Sequence, residues 1–277
     1  MAKLFLISGV SSGFGRALGE AAIAQGNIVV GTVRKEADKV EFERLGKDAH
    51  GRILDVTQTS RVAPTIAEIE KTIGAIDVLV NNAGYGHEGI LEESSMNDLR
   101  RQFEVNVFGP VAMIQAVLPY MRKRRAGRIL NITSMGGLIT MPGISFYHGS
   151  KFALEGISET LGKEVQDLGI RVTAVEPGGF RTDWAGRSMV RAPRSIADYD
   201  AIFEPLRKRR MEYSGNQVGD PQKAAHAMLK LVASDNPPAH LLLGSDAVRL
   251  VDEKMKALQS EFTAWMSLSL STDVTED

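Results

Sequence analysis

The chain has 277 residues, of which 43% are hydrophobic, so it is long enough to bury a substantial core. Its 33 basic and 34 acidic residues nearly cancel, which argues against a global field that would attract nucleic acid or an anionic membrane. The absence of cysteine excludes disulfides, a thiolate nucleophile and thiolate metal ligands. We therefore expect no nucleic-acid partner, and a cytoplasmic location is the default expectation.

Short apolar, β-branched runs recur along the chain and predict seven strands. The first run ends in glycine-rich sequence and is too short for a secretory segment, and no run is long enough to span a bilayer. We therefore expect no membrane span. The runs are Lys3–Ser8, Asn27–Val33, Gly51–Leu54, Ile76–Asn81, Gly127–Thr133, Ile170–Val175 and His240–Leu243.

Segments with helical spacing alternate with these strands, at Phe14–Gln25, Ser60–Ile73, Met96–Met121 and Phe146–Leu168. Such β-α-β crossovers make a sheet mainly parallel, and right-handed crossovers place helices on both of its faces. The sequence thus predicts an α/β fold, a Rossmann-type doubly wound sheet of seven strands. No linker or repeat divides residues 1–277, so we expect a single domain with a C-terminal helical extension at about 246–277.

Three glycines follow the first strand directly. Gly9, Gly13 and Gly15 permit a tight turn and a close approach of backbone amides to a diphosphate at the start of the next helix. Ser11 and Ser12 add hydroxyl donors. A plain turn is the alternative interpretation, and the position straight after the first strand favours the diphosphate.

Arg34 stands just past the second strand. The residue before it, Val33, occupies the position where an acidic residue would hydrogen-bond the ribose hydroxyls of NAD. A guanidinium there pairs with the 2′-phosphate of NADP. The sequence therefore favours NADP(H), with NAD(H) as the alternative cofactor and an exposed surface arginine as the alternative role for Arg34.

Small residues and amides end the fourth strand, in the stretch Asn81-Asn82-Ala83-Gly84. They suit a flat adenine ring and a stabilising role in the central sheet. They are equally typical of an ordinary turn.

Tyr147 and Lys151 stand four residues apart in a predicted helix. This step puts the phenol and the ammonium on one face, about one turn apart, where the cation favours ionisation of the phenol. A free tyrosine titrates near ~10, too high for a good base at neutral pH. We therefore expect Lys151 to lower the pKa of Tyr147, and the pair together with the glycine turn indicates hydride chemistry.

Other polar groups have more ordinary interpretations. His148 should point away from the reactive face because helix neighbours are rotated by roughly 100°. A lone loop histidine such as His87 is usually solvated, and the basic run Arg207–Arg210 is typical of a solvated helix face. No His/Asp/Glu grouping has convincing metal-ligand spacing, so no metal is expected.

These motifs resemble the classical short-chain dehydrogenase/reductase family over about residues 3 to 245. The resemblance implies that Tyr147 is the general acid/base and that Ser134 bonds the substrate oxygen. It implies that Lys151 lowers the tyrosine pKa and holds the nicotinamide ribose, and that Asn106 positions a water. The matching stretches are Ser8 to Gly15, Asp55-Val56, Asn81 to Gly84, Asn106, Ser134, Tyr147-x-x-x-Lys151 and Pro177-Gly178-x-x-x-Thr182.

The same resemblance extends the expected cofactor contacts along the cleft, with Asp55-Val56 at the adenine and Pro177 to Thr182 at the nicotinamide. The expected cofactor-binding set is Gly9, Ser11, Ser12, Gly13, Phe14, Gly15, Arg34, Asp55, Val56, Asn82, Ala83, Gly84, Tyr147, Lys151, Pro177, Gly178 and Thr182.

The stretch from Phe146 to Gly156 is similar to the branch that holds hydroxysteroid and retinol dehydrogenases and many bacterial oxidoreductases of undefined substrate. Residues 183–218 fall where the family places its substrate lid. A bulky, partly apolar alcohol or ketone is the implied small-molecule substrate. The C-terminus does not resemble the tetramer-forming end common in the family, and a homo-oligomer of another kind stays open.

We therefore predict an NADP(H)-dependent oxidoreductase that interconverts a secondary alcohol and a ketone or aldehyde. An NAD-dependent alcohol dehydrogenase and a non-catalytic dinucleotide-binding sensor or scaffold are the alternatives. A sugar-nucleotide epimerase is disfavoured by the spacing of the glycines.

Overall fold

A computed structural model of the chain describes residues 2–186 and 188–274. The strands are β1 (Leu4–Ser8), β2 (Ile28–Val33), β3 (Ala49–Ile53), β4 (Val78–Asn81), β5 (Gly86–Glu88), β6 (Gly127–Ile132), β7 (Ile170–Pro177), β8 (Met189–Arg191) and β9 (His240–Leu243). The helices are α1 (Gly13–Ala24), α2 (Glu36–Glu43), α3 (Thr59–Thr72), α4 (Met96–Phe103), α5 (Gly109–Arg124), α6 (Ser145–Val165), α7 (Asp200–Tyr213), α8 (Pro221–Ala233) and α9 (Ser245–Leu270).

Seven strands form one parallel sheet in the order β3-β2-β1-β4-β6-β7-β9. The order reverses direction at β1, where β2 lies on one side in register from Leu4 opposite Ile28, and β4 on the other, with Phe5 opposite Val78. This is the single-domain, doubly wound Rossmann arrangement that the sequence predicts. Strands β5 and β8 form a separate parallel pair beside it.

Alternate residues of β1 enter the two cores on opposite faces of the sheet. Phe5 and Ile7 pack with α1 and α8 on one face. Leu4 and Leu6 pack with α3, α5 and α6 on the other. Because both faces are covered, the strands are continuous apolar runs, which is why the sequence reveals them.

The long helix predicted at Met96–Met121 is interrupted in the structure. Helix α4 ends at Phe103, a π-helical turn spans Glu104–Phe108, and α5 begins at Gly109. Pro110 lacks the backbone N–H that a continuous α-helix needs there. Asn106 lies on the π turn, so the prediction of one unbroken helix was wrong at the position where a functional residue was expected.

Several elements differ from the predictions in extent. Strand β3 starts two residues before the predicted Gly51, and α9 ends at Leu270, before the end of the predicted extension at about 246–277. Helices α2 and α8 were not predicted, and of α7 only the basic run Arg207–Arg210 was expected to be helical. The end of the predicted C-terminal extension, residues 275–277, lies outside the described residues.

Gly15 holds α1 against the turn after β1. A Cβ on Gly15 would overlap the backbone oxygen of Gly9 and the side-chain amide of Asn82. Gly15→Ala should therefore lower the melting temperature by several degrees and weaken dinucleotide binding, measured by calorimetry and titration. The matched control is Gly156→Ala on α6, where a Cβ meets nothing and the helix should gain roughly 0.5–1 kcal/mol. Equal effects of the two substitutions would contradict this account.

Candidate active site

A cleft of about 1140 Å³ opens at the carboxyl ends of the strands. It is lined by residues that follow β1, β2, β3, β4, β6 and β7, so six strand ends converge on it. Every residue expected at the cofactor or in catalysis lines the cleft except Gly15 and Asn106, which lie behind its wall.

The turn after β1 leaves backbone donors free at the start of α1. Gly9 and Gly13 have φ of 76° and 59°, in the left-handed region that favours glycine. Ser12 precedes the helix in an extended conformation, and its hydroxyl caps no backbone N–H. The first turn carries no acidic residue. These N–H groups and the hydroxyls of Ser11 and Ser12 suit an anion such as a diphosphate.

Asn82 is committed to holding this turn. Its side-chain amide donates to the oxygens of Ser8 and Gly9 at 2.9 and 2.8 Å. The Ser8 hydroxyl in turn accepts from the backbone N–H groups of Asn82 and Ala83, both at 3.0 Å. The sequence left open whether this stretch contacts an adenine ring or forms an ordinary turn. The hydrogen bonds of Asn82 hold the turn, and Ala83 and Gly84 line the cleft.

Arg34 lies exposed on the cleft wall after β2 and makes no ion pair with any other described residue. Lys35, which was not predicted, also lines the cleft, and Asp38 lies nearby. Asp55 follows β3 and accepts from the backbone N–H and hydroxyl of Thr57, at 3.0 and 2.8 Å. The cleft thus has a positively charged region at this end that suits an added phosphate.

Tyr147 and Lys151 lie one turn apart on α6, and both are buried, at 6% and 7% exposed. The Lys151 ammonium is 5.7 Å from the centroid of the Tyr147 ring. It donates a hydrogen bond to the Ile132 carbonyl oxygen at 2.8 Å. The predicted proximity of the two groups is confirmed.

The predicted lowering of the tyrosine pKa was wrong for this state of the cleft. Burial raises the pKa of Tyr147 to about 12, and a hydrogen bond from Ser134 offsets only part of that rise. Burial also lowers the pKa of Lys151 to about 8. Removal of water disfavours the charged form of both groups and is the largest cause of each shift. At neutral pH the phenol therefore carries its proton and is fit to donate it.

Ser134 follows β6, on a backbone that hydrogen bonds from neighbouring groups hold in place. Its Oγ accepts from the Gly136 N–H at 2.9 Å. His148 donates from Nδ1 to the Gly136 oxygen at 2.7 Å and accepts at Nε2 from the Met141 N–H at 2.8 Å. Both ring nitrogens of His148 thus bond backbone groups and order the loop that carries Ser134. The side chain also lines the cleft, with its ring centroid 6.1 Å from that of Tyr147, so the expectation that it lies off the reactive face was wrong.

Asn106 is 1% exposed on the π-helical turn. Its Nδ2 donates to the Tyr85 oxygen and the Ser150 hydroxyl, both at 3.1 Å, and its Oδ1 accepts from the Tyr85 N–H at 3.2 Å. It therefore fixes the backbone after β4 and joins it to α6, one residue before Lys151. The π turn places a buried amide beside the cleft, a use often found at functional sites.

Comparison with known proteins agrees with this geometry. The short chain dehydrogenase family model matches residues 3–190. The chain belongs to the short-chain dehydrogenase family. It is an oxidoreductase that acts on CH–OH groups.

Three relatives illustrate the breadth of the match. The 3-ketodihydrosphingosine reductase of Bacteroides thetaiotaomicron is 38% identical over 244 residues, covering 87% of this chain and 88% of that protein. A crystal structure of a short-chain dehydrogenase from Streptomyces avermitilis is 39% identical, with a TM-score of 0.91, and covers 99% of this chain and all of that one. The NADP-bound structure of ElxO is 26% identical, with a TM-score of 0.73, and covers 87% and 96% of the two chains.

Within the described part of this dehydrogenase, no helix combines the length and apolarity needed to cross a bilayer.

Two residues of the expected lid segment, 183–218, line the cleft near its reactive end. The Trp184 ring lies 5.0 Å from the Tyr147 ring between centroids, and its buried Nε1 has no hydrogen-bond partner among the described residues. Arg210 comes from the basic run expected to be solvated, yet its guanidinium bonds the buried Glu88 at 2.7 Å and lines the cleft. That expectation was wrong for Arg210, because α7 turns it inward.

His87 is neither solvated nor part of the cleft lining. It is 1% exposed on β5 and stacks on Phe146, with ring centroids 5.1 Å apart. The expectation of a solvated loop histidine was therefore wrong, since the short β5-β8 pair buries it.

Behind the site, the dehydrogenase brings together Glu155, Glu176 and His240, whose ligand-type atoms lie within 4.8 Å of one another. Sequence spacing did not reveal this grouping because the residues come from α6, β7 and β9. His240 donates from Nδ1 to Glu176 at 2.7 Å. Burial raises the pKa of Glu155 to about 7, the attraction of His240 opposing that rise in part. The two buried carboxyl groups and the exposed His240 form a titrating network one turn beyond Lys151.

Glu155 gives the stability of this dehydrogenase a pH dependence. Its folded pKa of about 7 exceeds its ordinary value of 4.5, so between these values the folded chain binds the proton more strongly than the unfolded chain. The contribution of Glu155 to stability therefore falls as pH rises through that window and is lowest above it. Glu155→Gln removes the buried charge and should raise the melting temperature more at pH 8 than at pH 5.

Calorimetry across this range tests the prediction. Glu159→Gln, one turn further along α6, is the matched control, since Glu159 bonds the exposed Lys163 and has a lowered pKa. It should show no such gain at pH 8. An equal effect of Glu155→Gln at both pH values would contradict the assignment.

Proposed function

We propose that this dehydrogenase uses NADP(H) to interconvert a secondary alcohol and a ketone, with Tyr147 as general acid/base. One observation carries the proposal: a single cleft joins the positively charged region at Arg34 to the buried Tyr147, Ser134 and Lys151. A dinucleotide with a phosphate at one end and a reactive ring at the other suits such a cleft.

The preference for NADP rests on charge. Arg34 and Lys35 follow β2, and the last residue of that strand is Val33 rather than a carboxylate. A 2′-phosphate would gain two cationic neighbours, whereas the ribose hydroxyls of NAD would find no acceptor at Val33. The NADP bound to ElxO is consistent with this choice. Asp38 and Asp55 also line this end of the cleft, and their negative charges favour a mixed rather than absolute preference.

The residues would hold the cofactor along the strand ends. The turn from Gly9 to Gly15, with Ser11, Ser12 and Phe14, would receive the diphosphate. Asp55, Val56, Ala83 and Gly84 would flank the adenine, with Asn82 holding the turn. Pro177, Gly178 and Thr182 would flank the nicotinamide, whose chemistry is hydride transfer.

The chain's own residues supply the proton chemistry. In the reductive direction the Ser134 hydroxyl donates a hydrogen bond to the substrate carbonyl oxygen, and the Tyr147 phenol donates its proton to that oxygen as the alcohol forms. Lys151 is still charged at neutral pH and stabilises the phenolate that remains. Asn106 is a positioning residue that holds the Tyr85 backbone beside α6. Oxidation of the alcohol runs through the same groups in reverse.

The substrate is proposed to be bulky and largely apolar. Met141, Ile144, Val190 and Trp184 contribute apolar surface to the reactive end of the cleft. Residues 183–218 supply several of these wall positions, which supports the proposed lid. The relative that reduces 3-ketodihydrosphingosine is consistent with a ketone on a long chain.

Tyr147→Phe tests the acid/base role. Loss of the transferable proton should reduce turnover by roughly 10²–10⁴-fold while NADPH affinity stays within about twofold. NADPH oxidation is followed with a panel of ketones that includes long-chain 3-ketones, and NADPH binding by titration. Tyr213→Phe, on the same cleft wall, is the control and should keep its turnover. Full activity in Tyr147→Phe, or binding without turnover of any ketone by the wild type, would overturn the proposal.

Arg34→Ala tests the phosphate contact separately. It should weaken NADPH binding by about tenfold or more and leave NADH binding within about twofold, because only NADPH carries the paired phosphate. Lys47→Ala removes one positive charge outside the cleft and serves as the control. An unchanged NADPH-to-NADH preference in Arg34→Ala would remove the case for this contact.

A further inference from the structure

Two buried carboxyl groups meet an imidazole on one face of the sheet, outside the catalytic cleft. Glu176 lies on β7 and is 0% exposed, and Glu155 is 5% exposed on α6, which packs on that strand. His240 begins β9, the edge strand beside β7, and lies opposite Ala174 in the register. Because Ala174 and Glu176 point to the same face of the sheet, the imidazole and both carboxyl groups converge there.

Three of the four carboxyl oxygens in this group have no hydrogen-bond partner among the described residues. Glu176 Oε1 accepts from His240 Nδ1 at 2.7 Å, whereas Glu176 Oε2 and both oxygens of Glu155 are buried and unpartnered. The hydroxyl of Thr133 lies beside Glu155, but its one proton is donated to the Val175 carbonyl oxygen at 2.9 Å. Buried charges are normally paired or coordinate a metal, so these oxygens need a cation.

The surrounding side chains supply too little positive charge for two carboxylates. A protonated His240 would offset only one of the two negative charges. Lys151 precedes Glu155 by one turn, but its ammonium bonds the Ile132 carbonyl oxygen at 2.8 Å. The exposed Glu159 adds further negative charge near His240. A divalent cation would offset both buried carboxylates at once.

The three donors are spaced like ligands of one ion. His240 Nδ1 lies 3.5 Å from Glu155 Oε2, and ligand-type atoms of Glu155, Glu176 and His240 all lie within 4.8 Å of one another. Donors that bind zinc at roughly 2.0–2.2 Å lie about 3.3–3.6 Å apart in a tetrahedral arrangement. Only the shorter hydrogen bond between His240 and Glu176 must open when an ion replaces its proton. The His240 side chain is 40% exposed, which gives an ion an entry path and a side open to water.

The donor set selects the metal. Magnesium and calcium prefer oxygen ligands throughout, whereas zinc accepts imidazole nitrogen and carboxylate oxygen together. We propose that Glu155, Glu176 and His240 bind one Zn²⁺ ion, with water completing its coordination. Zn²⁺ takes the place of the proton on His240 Nδ1, and that proton leaves to solvent.

The ion braces the catalytic residues from behind. None of its three ligands lines the cleft, so the ion does not touch the substrate. Glu155 lies one turn after Lys151 on α6. A Cβ on Gly137 would come within 2.7 Å of the Glu155 Cγ, so the loop that follows Ser134 packs closely on this ligand. The ion thus ties α6 to β7 and β9 beneath both Lys151 and Ser134. The proposal does not depend on the proposed cofactor or substrate, and the pH dependence of stability derived for Glu155 applies to the metal-free protein.

Titration of Zn²⁺ into the full, tag-free chain after treatment with EDTA tests the site by calorimetry. The wild type should bind one ion per chain, and Zn²⁺ should raise its melting temperature, because the folded chain alone assembles the ligands. Glu176→Gln and His240→Gln should each weaken binding by more than the roughly 10–100-fold that loss of an outer-sphere partner costs. His240→Gln changes an exposed side chain, so it tests the site even if Glu176→Gln fails to fold. The matched control is His226→Gln, which removes an exposed histidine on α8 and should leave Zn²⁺ affinity unchanged.

Diffraction at the zinc absorption edge locates the ion. Crystals grown with Zn²⁺ should show an anomalous peak between Glu155, Glu176 and His240, at roughly 2.0–2.2 Å from each donor. The proposal is overturned if the wild type binds no Zn²⁺, in which case a proton shared by the two carboxyl groups takes the place of the ion. It is also overturned if binding persists in both Glu176→Gln and His240→Gln, which would show an adventitious ion only, or if these three residues carry no peak.

Discussion

The parallel sheet imposes one constraint on which the site depends: all seven strands end at the same edge. Residues far apart in sequence, such as Gly9, Arg34 and Ser134, line one cleft because each follows a strand that points the same way. The two faces of the sheet are sealed by helices, so the strand-end loops are the part of the chain free to bind a ligand. The reversal of strand order at β1 opens the cleft between β2 and β4.

At this edge of the sheet, burial rather than the pairing of charges determines the direction in which the pKa values of Tyr147 and Lys151 shift. Removal of water raises the pKa of Tyr147 and lowers that of Lys151, although the two side chains lie close together. A neutral phenol beside an ammonium is poised to give up a proton once a reaction generates negative charge on a nearby oxygen. Burial also acts on Glu155, one turn further along α6, and raises the pKa of its carboxyl group to about 7.

The sheet was predictable because strands covered on both faces are uninterrupted apolar runs, and the glycine turn marks the first strand end. The spacing of Tyr147 and Lys151 also predicted their proximity correctly. Spacing contains no information on burial, so the direction of the tyrosine pKa was predicted wrongly. The lid segment 183–218 was predicted, but the contacts that Trp184 and Arg210 make within it were not. These contacts, and the grouping of Glu155 with Glu176 and His240, depend on tertiary packing between distant segments, which no local sequence pattern specifies. The interruption at Glu104–Phe108 was missed because a π turn keeps nearly helical spacing.

The most direct test of the central claim is a crystal structure of the protein with NADP⁺. The account predicts that the dinucleotide lies along the strand ends, with its 2′-phosphate at Arg34 and its nicotinamide beside the hydroxyl groups of Tyr147 and Ser134. A dinucleotide bound elsewhere, or a nicotinamide remote from Tyr147, would contradict the account.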